Sequence, residues 1–316
     1  MTINDINIRD PFVLPFDGKY YMYGTRGATC WGECDGFDVY VSEDLSNWSN
    51  PIEVFHKPEG FWADRNYWAP EVHYYKGAFY AFVSFKSLDR CRGTQILISD
   101  SPIGPFRLHS DGPLTPSDWE CLDGTLYVDD KGQAYMVFCH EWVQVGDGEI
   151  CAIKLSEDLS KAISEPELLF TASKSPWSRS IRNGPNYVTD GPYLFQPDSP
   201  YRNFIIDKDK ADSFDANSLS ISNNSNKRPL VMIWSSMSDN NDYVQIISIS
   251  DSGSISGPWR HDEDLLYKSD GGHGMIFRIF DGDLFLTLHS PNKTLLERPM
   301  FIPLIDEEGI PRVRDL

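Results

Sequence analysis

Acidic side chains recur at one step of a repeated pattern along the chain. Four carboxylates and one imidazole each stand at the start of an apolar, strand-like run: Asp10, Glu71, Asp123, Asp190 and His273. An Asp before Gly or Pro can simply turn the chain, but its recurrence at the same step favours a shared site. Carboxylates gathered at one point repel each other unless some are protonated, paired or bound to a cation, which separates the pKa values of an acid and a base. Cleavage of a glycosidic bond needs two such carboxyl groups and no nucleophilic Ser or Cys.

The elements that would position these residues are short strands. Almost no stretch has the apolar spacing of an amphipathic helix, whereas β-rich runs bounded by Gly, Pro, Asn and Asp recur throughout. Residues 10–14 lead through the turn Asp17-Gly18-Lys19 into residues 20–23, which predicts a hairpin. Similar hairpins are predicted within residues 69–83, 123–138, 190–234 and 273–288, and the first four are followed by a second strand pair.

Repeats of this kind predict a β-propeller. One four-stranded unit cannot bury both of its faces, so units of roughly 60 residues stack around an axis. We therefore predict an all-β chain, with residues 1–316 forming one five-bladed β-propeller of four-stranded antiparallel blades. A two-domain sandwich would not explain the shared motif order. The polar stretch at residues 196–228 should form a surface excursion in blade four. The starts of the innermost strands converge at one mouth of the channel, which would bring the acidic residues together.

The amino-acid composition limits the classes of partner that the chain is expected to bind. The chain has 28 Lys plus Arg against 47 Asp plus Glu, a formal net charge of −19, which disfavours nucleic acids and anionic membranes. No run is apolar enough to span a membrane, and the polar start predicts a cytoplasmic protein, or a periplasmic or secreted one if an export segment was removed. Six cysteines do not indicate a disulfide framework. The aromatic content of 13% suits a sugar ligand, and we expect a monomer that binds an oligosaccharide or polysaccharide.

The motifs resemble those of glycoside hydrolase family 43, the five-bladed furanosidases and xylosidases. One motif from each repeat carries the resemblance: Ile8-Arg9-Asp10-Pro11, Trp68-Ala69-Pro70-Glu71, Leu122-Asp123-Gly124-Thr125, Asp190-Gly191-Pro192 and Gly272-His273-Gly274. The resemblance implies that Asp10 is the general base and that Asp123 orients the acid and raises its pKa. It also implies that His273 lies on the axis and holds a water or a calcium ion. No other cofactor is expected.

The candidate general acid differs from the residue that most family members have. Most members have Glu-Gly-Pro in the fourth repeat, whereas this chain has Asp190, whose side chain is one methylene shorter. A displacement of about 1 Å can cost about a hundredfold in rate. Glu141 is an alternative acid because its strand returns to the same mouth. Glu120 is a second alternative, since Trp119-Glu120-Cys121 resembles the acid motif of the fructosidase families.

The resemblance implies an inverting hydrolase that releases a terminal pentofuranosyl residue, most plausibly an exo-acting α-L-arabinofuranosidase. A β-xylosidase or galactofuranosidase of the same fold, a retaining fructosidase and a carbohydrate-binding propeller without catalysis remain alternatives. The residues expected to contact the sugar are Trp68, Glu71, His140, Trp142 and Arg298.

Overall fold

Five four-stranded sheets form the protein in a computed structural model, which describes residues 1–196 and 229–314. Each sheet is built from four consecutive antiparallel strands, so the predicted five-bladed β-propeller is confirmed. Beyond Gln196, the excursion predicted at residues 196–228 lies outside the described residues.

The first three blades contain twelve strands in chain order. They are β1 (Ile8–Phe16), β2 (Lys19–Arg26), β3 (Gly36–Ser42) and β4 (Ile52–His56) in blade one; β5 (Arg65–Tyr75), β6 (Ala78–Lys86), β7 (Gly93–Ser99) and β8 (Arg107–Leu108) in blade two; and β9 (Cys121–Val128), β10 (Ala134–His140), β11 (Glu149–Lys154) and β12 (Glu167–Thr171) in blade three.

Blades four and five complete the ring. They contain β13 (Asp190–Phe195), β14 (Leu230–Met237), β15 (Tyr243–Ser250) and β16 (Trp259–His261), followed by β17 (Gly272–Arg278), β18 (Leu284–Ser290), β19 (Arg298–Glu307) and β20 (Ile310–Val313). In the described residues, helical structure is limited to one turn, α1 (Trp142–Val145), and three 3₁₀ turns at Ile3–Asp5, Gly27–Thr29 and Ala172–Lys174.

Turn chemistry sets the hairpins. Asp17 and Gly18 both have positive φ (48° and 74°), which matches the twist of two-residue hairpin turns, and Phe16 pairs with Lys19 across the turn. Lys76 and Gly77 repeat this geometry in blade two. The first strand of each blade is buried along most of its length, because neighbouring blades cover both faces.

The ring closes by packing, because within residues 1–196 and 229–314 no strand is shared between blades one and five. The Asn7 side-chain amide donates to the Glu297 carbonyl (2.9 Å), and the Met1 amino group donates to the Trp48 carbonyl (2.7 Å). Arg9 forms an ion pair with Glu297, whose side chain is fully buried (Nη1 to Oε1, 2.6 Å). The contacts of Asn7 and Arg9 with Glu297 tie the amino-terminal segment to blade five, and the Met1 contact ties it to the outer part of blade one.

The first strand of every blade carries a register irregularity near its start. At that step one residue has positive φ: Asp10 (54°), Ala69 (46°), Asp123 (57°), Gly191 (52°) and His273 (52°). In four blades the backbone N–H of this residue donates to a side chain of the preceding blade's second strand, namely His289, Thr25, Ser84 or Ser235. The bulges therefore turn equivalent positions toward the axis.

Candidate active site

A cavity of about 440 Å³ opens at the mouth of the propeller and is lined by residues from all five blades. Seven of the residues singled out in the sequence line it: Asp10, Trp68, Asp123, Glu141, Trp142, Asp190 and His273. The side chains of three of the acidic residues, Asp10, Asp123 and Asp190, are therefore gathered in one buried site.

The bulges show that the repeat alignment was shifted in two blades. The position equivalent to Asp10 is Ala69 in blade two and Gly191 in blade four. Glu71 follows the bulge by two residues and lies outside the cavity lining, with its Oε2 3.1 Å from His73 Nε2. Asp190 precedes the bulge by one residue and still lines the cavity. Its side chain therefore approaches from a different backbone position than those of Asp10 and Asp123.

Asp10 is held as a carboxylate. The Thr25 hydroxyl donates to its Oδ2 (2.6 Å), and His273 Nδ1 lies 3.3 Å from its Oδ1. Burial opposes ionisation, but the charges of His273 and the neighbouring Arg9, together with the Thr25 hydrogen bond, outweigh it and lower the pKa of Asp10. This residue therefore has a negative charge available to accept a proton.

His289 is neutral and supports the Asp10 backbone. Burial lowers the pKa of His289 to about 3. Its Nδ1 accepts the backbone N–H of Asp10 (3.1 Å), so that nitrogen carries no proton. The distance of 3.5 Å between His289 Nδ1 and Asp10 Oδ1 is therefore not an ion pair.

Asp123 is linked to the backbone that carries Asp190. Its Oδ2 accepts the Gly191 N–H (3.0 Å) and lies 3.6 Å from His273 Nδ1. A side chain at position 191 would bring its Cβ to 2.7 Å from the His273 ring, so this close approach requires glycine. Burial and the charges of Asp190 and Asp10 raise the pKa of Asp123, against the opposing charge of His273.

Asp190 is partly buried, and its pKa lies above the ordinary value of an aspartate. Burial and the charge of Asp10 raise its pKa, although His273 and a hydrogen bond from Tyr243 oppose the rise. The Tyr243 hydroxyl donates to Asp190 Oδ2 (3.0 Å). Asp10 and Asp190 therefore have their pKa values displaced in opposite directions within one cavity, as an acid and a base require.

His273 supplies the positive charge between the carboxylates. Burial lowers the pKa of His273, but Asp10, Asp123, Asp190 and Glu71 together raise it above its ordinary value. The charged imidazole offsets the repulsion that the clustered carboxylates would otherwise produce.

Glu141 lies at the rim, where Arg92 pairs with its carboxylate and stacks over the Trp68 ring (4.0 Å from Cζ to the centroid). Burial raises the pKa of Glu141, and the charge of Arg92 opposes the rise. Glu120 lies outside the cavity lining, with its Oε1 2.6 Å from Lys86 Nζ. Burial of Glu120 is outweighed by hydrogen bonds from Lys86 and from the Arg92 N–H, which lower its pKa.

Similarity to known proteins agrees with this geometry. The family model described as "Glycosyl hydrolases family 43" matches residues 3–201. The chain belongs to glycosyl hydrolase family 43. The resemblance identified in the sequence is thereby confirmed, and the chain is a glycoside hydrolase by family.

Two curated relatives are named as enzymes that act on α-(1→5)-linked L-arabinose. The chain is 25% identical over 178 residues to the extracellular exo-α-(1→5)-L-arabinofuranosidase ArbA of Cellvibrio japonicus, covering 51% of this chain and 47% of that one. It is 26% identical over 199 residues to the extracellular endo-α-(1→5)-L-arabinanase 1 of Bacillus subtilis, covering 60% and 58%. The matches thus span about half the length of these curated relatives.

A solved structure matches over almost the full length. The endo-arabinase of Bacteroides thetaiotaomicron shares 34% identity, with a TM-score of 0.82 and coverage of 98% of both chains.

In the described part of the present chain, no helix has the length and apolar character needed to cross a bilayer.

Two further residues expected to contact sugar, besides Glu71, lie outside the cavity lining. His140 stacks on Trp119 (ring centroids 4.1 Å apart), and its ring nitrogens lie 2.8 Å from Glu149 Oε2 and 2.9 Å from Gln144 Oε1. Arg298 donates to the carbonyls of Asn4 and Glu297, both at 2.7 Å. Neither side chain lines the cavity. The first packs inside blade three, and the second joins the amino-terminal turn to blade five.

We expect Arg298→Ala to lower the free energy of unfolding by about 1 kcal/mol, because the variant loses the hydrogen bonds from Arg298 to the backbone carbonyls of Asn4, Leu295 and Glu297. Denaturant unfolding measures this change. The kcat/KM of the variant should equal that of the unmodified protein. A fall in kcat/KM without loss of stability would indicate that Arg298 contacts the sugar.

Several residues of the site were not identified from the sequence. Arg9 and Thr25 line the cavity, and Tyr243 contacts Asp190. Arg9 stands beside Asp10 in a motif already noted, so its position was a usable signal. The contacts of Thr25 and Tyr243 depend on strand register, for which the sequence carries no local mark.

The axial position fits a water molecule better than a directly bound calcium ion. His273 Nε2 is buried and accepts or donates no hydrogen bond within the described residues. Calcium prefers six to eight oxygen ligands. Within residues 1–196 and 229–314, the three-residue group close enough to hold a metal is Asp35, Glu53 and His56, which is exposed and lies far from the axis in sequence and fold. A calcium ion at the axis would need waters between itself and His273.

Proposed function

We propose that this family 43 protein is an exo-acting α-L-arabinofuranosidase that releases terminal arabinofuranose with inversion. The observation that carries the proposal is the opposite displacement of the pKa values of Asp10 and Asp190 in one cavity. The named activities of the arabinan-degrading relatives support the choice of sugar.

Asp10 acts as the general base. Its carboxylate takes a proton from a water molecule, and that water attacks the anomeric carbon from one face of the sugar. The Thr25 hydroxyl and His273 fix the orientation of the carboxylate. A fixed carboxylate is needed because small displacements of a catalytic group cost large factors in rate.

Asp190 acts as the general acid. It transfers its proton to the glycosidic oxygen as the bond to the anomeric carbon breaks. Asp123 orients it through the Gly191 N–H, which belongs to the peptide that follows Asp190. Glu141 remains the alternative acid, since it lines the cavity and its pKa is raised. We do not propose Glu120, because a carboxyl group that Lys86 holds ionised has no proton to donate.

Exo action is favoured by a wall on one side of the cavity. Trp31 Nε1 donates to Thr294 Oγ1 (2.8 Å), which links the loop after β2 to the loop after β18. Both residues line the cavity. Such a bridge would obstruct a polymer passing between blades one and five, so the chain end would have to enter first.

Endo action is the second candidate, favoured by the similarity to the Bacteroides thetaiotaomicron endo-arabinase. Incubation with linear α-(1→5)-arabinan, followed by chromatography of early products, distinguishes the two. We expect monomeric arabinose from the first time points. Early accumulation of oligosaccharides would replace the exo proposal with the endo one.

A panel of nitrophenyl glycosides tests the sugar. We expect turnover of the α-L-arabinofuranoside above that of the β-xyloside and the galactofuranoside. Calorimetric binding without turnover of any substrate would instead favour a carbohydrate-binding propeller.

The pH profile of kcat/KM should be bell-shaped. Its acidic limb follows ionisation of Asp10, whose lowered pKa keeps the base active below the usual carboxyl range. Its alkaline limb follows proton loss from Asp190, whose raised pKa keeps the acid protonated above that range. Because Asp190 interacts with Asp123, this limb belongs to the pair. Asp190→Asn leaves Asp123 to titrate alone and should therefore shift the alkaline limb, and an alkaline limb at the same pH in that variant would contradict the assignment.

We propose that the reaction requires no metal ion and that any calcium is held on the axis through a water on His273. Dialysis against a chelator should leave kcat unchanged, because the proton transfers proposed for Asp10 and Asp190 use side chains alone. A loss of kcat that added calcium restores would contradict this.

A further inference from the structure

The Asp190 carboxyl group receives a hydrogen bond from a phenol that no catalytic step so far uses. Tyr243 opens β15, in the same blade as Asp190, and is only 2% exposed. Its hydroxyl donates to Oδ2 of Asp190 over 3.0 Å. We infer that Tyr243 is a positioning residue that fixes which oxygen of Asp190 carries the transferable proton. The inference rests on the proposed role of Asp190 as the acid.

Packing fixes the Tyr243 ring. Its aromatic edge lies so close to the backbone of Gly272 that a Cβ there would come within 2.7 Å of Tyr243 Cε1. A second ring neighbour is His289, stacked at 27° with the ring centroids 5.6 Å apart. The backbone N–H of Tyr243 donates to Asp270 Oδ1 (3.2 Å). The hydroxyl therefore has little freedom to leave Asp190.

The phenol donates to Asp190 in this structure. Burial, together with the charges of Asp190, Asp10 and Asp123, raises the pKa of Tyr243 well above its ordinary value, so the hydroxyl keeps its proton. A neutral carboxyl group has one carbonyl oxygen and one hydroxyl oxygen. Because Oδ2 accepts from Tyr243, Oδ2 is the carbonyl oxygen and the proton resides on Oδ1.

This arrangement assists the proton transfer by stabilising the charge left on Asp190 and by restraining the Asp190 side chain. The Oδ1–H bond breaks as a new bond forms between that proton and the glycosidic oxygen, which keeps the electron pair of its broken bond to carbon. The negative charge left on Asp190 is then shared with Oδ2, where the Tyr243 hydroxyl stabilises it. The contact also restrains a side chain that is one methylene shorter than the Glu usual in the family.

The experiment compares Tyr243→Phe with Tyr193→Phe. Tyr193 lies on β13, the strand that begins at Asp190, and is 3% exposed. Its hydroxyl donates to the Ile276 carbonyl (3.0 Å). Tyr193→Phe therefore controls for the loss of a buried hydroxyl. Each variant is assayed with an aryl arabinofuranoside that has a basic leaving group and with the 2,4-dinitrophenyl glycoside, whose leaving group needs no proton.

For Tyr243→Phe we expect kcat to fall roughly tenfold to a hundredfold with the basic leaving group, as loss of a hydrogen bond to a charged group predicts. The dinitrophenyl glycoside should be hydrolysed at nearly the original rate. Equal losses on both substrates, or no loss on either, would overturn the inference. If the variant does not fold by circular dichroism, Tyr243→3-fluorotyrosine preserves the shape while changing donor strength, and only the substrate with the basic leaving group should respond.

Infrared difference spectra separate this inference from the proposed function. With ¹³C-labelled aspartate, loss of the donor should move the protonated carbonyl stretch of Asp190 to higher frequency in Tyr243→Phe, and Asp190→Asn assigns the band. An unchanged band would refute the Tyr243 contact. If the band moves but the unmodified protein hydrolyses no arabinofuranoside, the proposed function fails and the contact stands.

Discussion

Asp10→Asn should reduce kcat by about 10²-fold to 10⁴-fold, the usual contribution of a general base. The amide occupies nearly the same volume and can still accept from Thr25, but it cannot take a proton from water. The loss should be equally large for arabino-oligosaccharides and for 2,4-dinitrophenyl arabinofuranoside, because water must be activated for either leaving group. Steady-state rates on the two substrates measure it.

Azide sharpens this prediction, since it attacks carbon without needing a base. Added azide should restore turnover of the dinitrophenyl glycoside by Asp10→Asn and yield a glycosyl azide of inverted configuration. Asp251→Asn is a matched control, because Asp251 is an exposed residue paired with Arg260. Unchanged turnover in Asp10→Asn, or a loss confined to poor leaving groups, would refute the role of Asp10.

Asp190→Asn should have a comparably large effect that depends on the leaving group. We expect kcat to fall about 10²-fold to 10⁴-fold on arabino-oligosaccharides, whose leaving alcohol must be protonated. Hydrolysis of the dinitrophenyl glycoside should continue at nearly the original rate. The ratio of the two losses is the measurement.

Glu141→Gln is the companion variant because it removes the alternative acid. It breaks the ion pair with Arg92, which also stacks on Trp68, so a modest loss should occur on both substrates alike. If Glu141→Gln shows the leaving-group dependence and Asp190→Asn does not, Glu141 is the acid.

The sequence predicted the blade architecture because local signals determine it. Turn residues such as Asp17-Gly18 and apolar runs of strand length mark the hairpins without knowledge of the fold. Four-stranded blades were predicted throughout, but the strand pattern did not delimit the last pair, Arg298–Glu307 and Ile310–Val313. Pro299, Pro303 and Pro311 interrupt its strand signal.

The site could be predicted only as far as motif order reaches. Asp10, Asp123 and His273 occupy equivalent bulges, so aligning the repeats placed them together correctly. Glu71 was placed in the ring because the alignment matched acidic residues, whereas the backbone places Ala69 at that step. A bulge adds one residue to a strand without a sequence signal strong enough to fix its position.

Side-chain partners distant in sequence were the part that local patterns could not supply. Arg298 and His140 are polar residues near motifs, which does not reveal their contacts. In the fold, Arg298 joins the amino-terminal turn to blade five, and His140 packs inside blade three. Tyr243 reaches Asp190 across 53 positions of sequence. Its contact depends on the pairing of three strands in blade four, which no single stretch of sequence encodes.

The configuration of the first-formed sugar tests the central claim most directly, because base and acid must act on opposite faces of the anomeric carbon. Proton NMR can follow hydrolysis of an α-L-arabinofuranoside before the anomers equilibrate. The roles proposed for Asp10 and Asp190 predict β-L-arabinofuranose as the initial product. Initial appearance of the α-anomer would mean that a carboxylate attacks carbon directly, and it would contradict the mechanism.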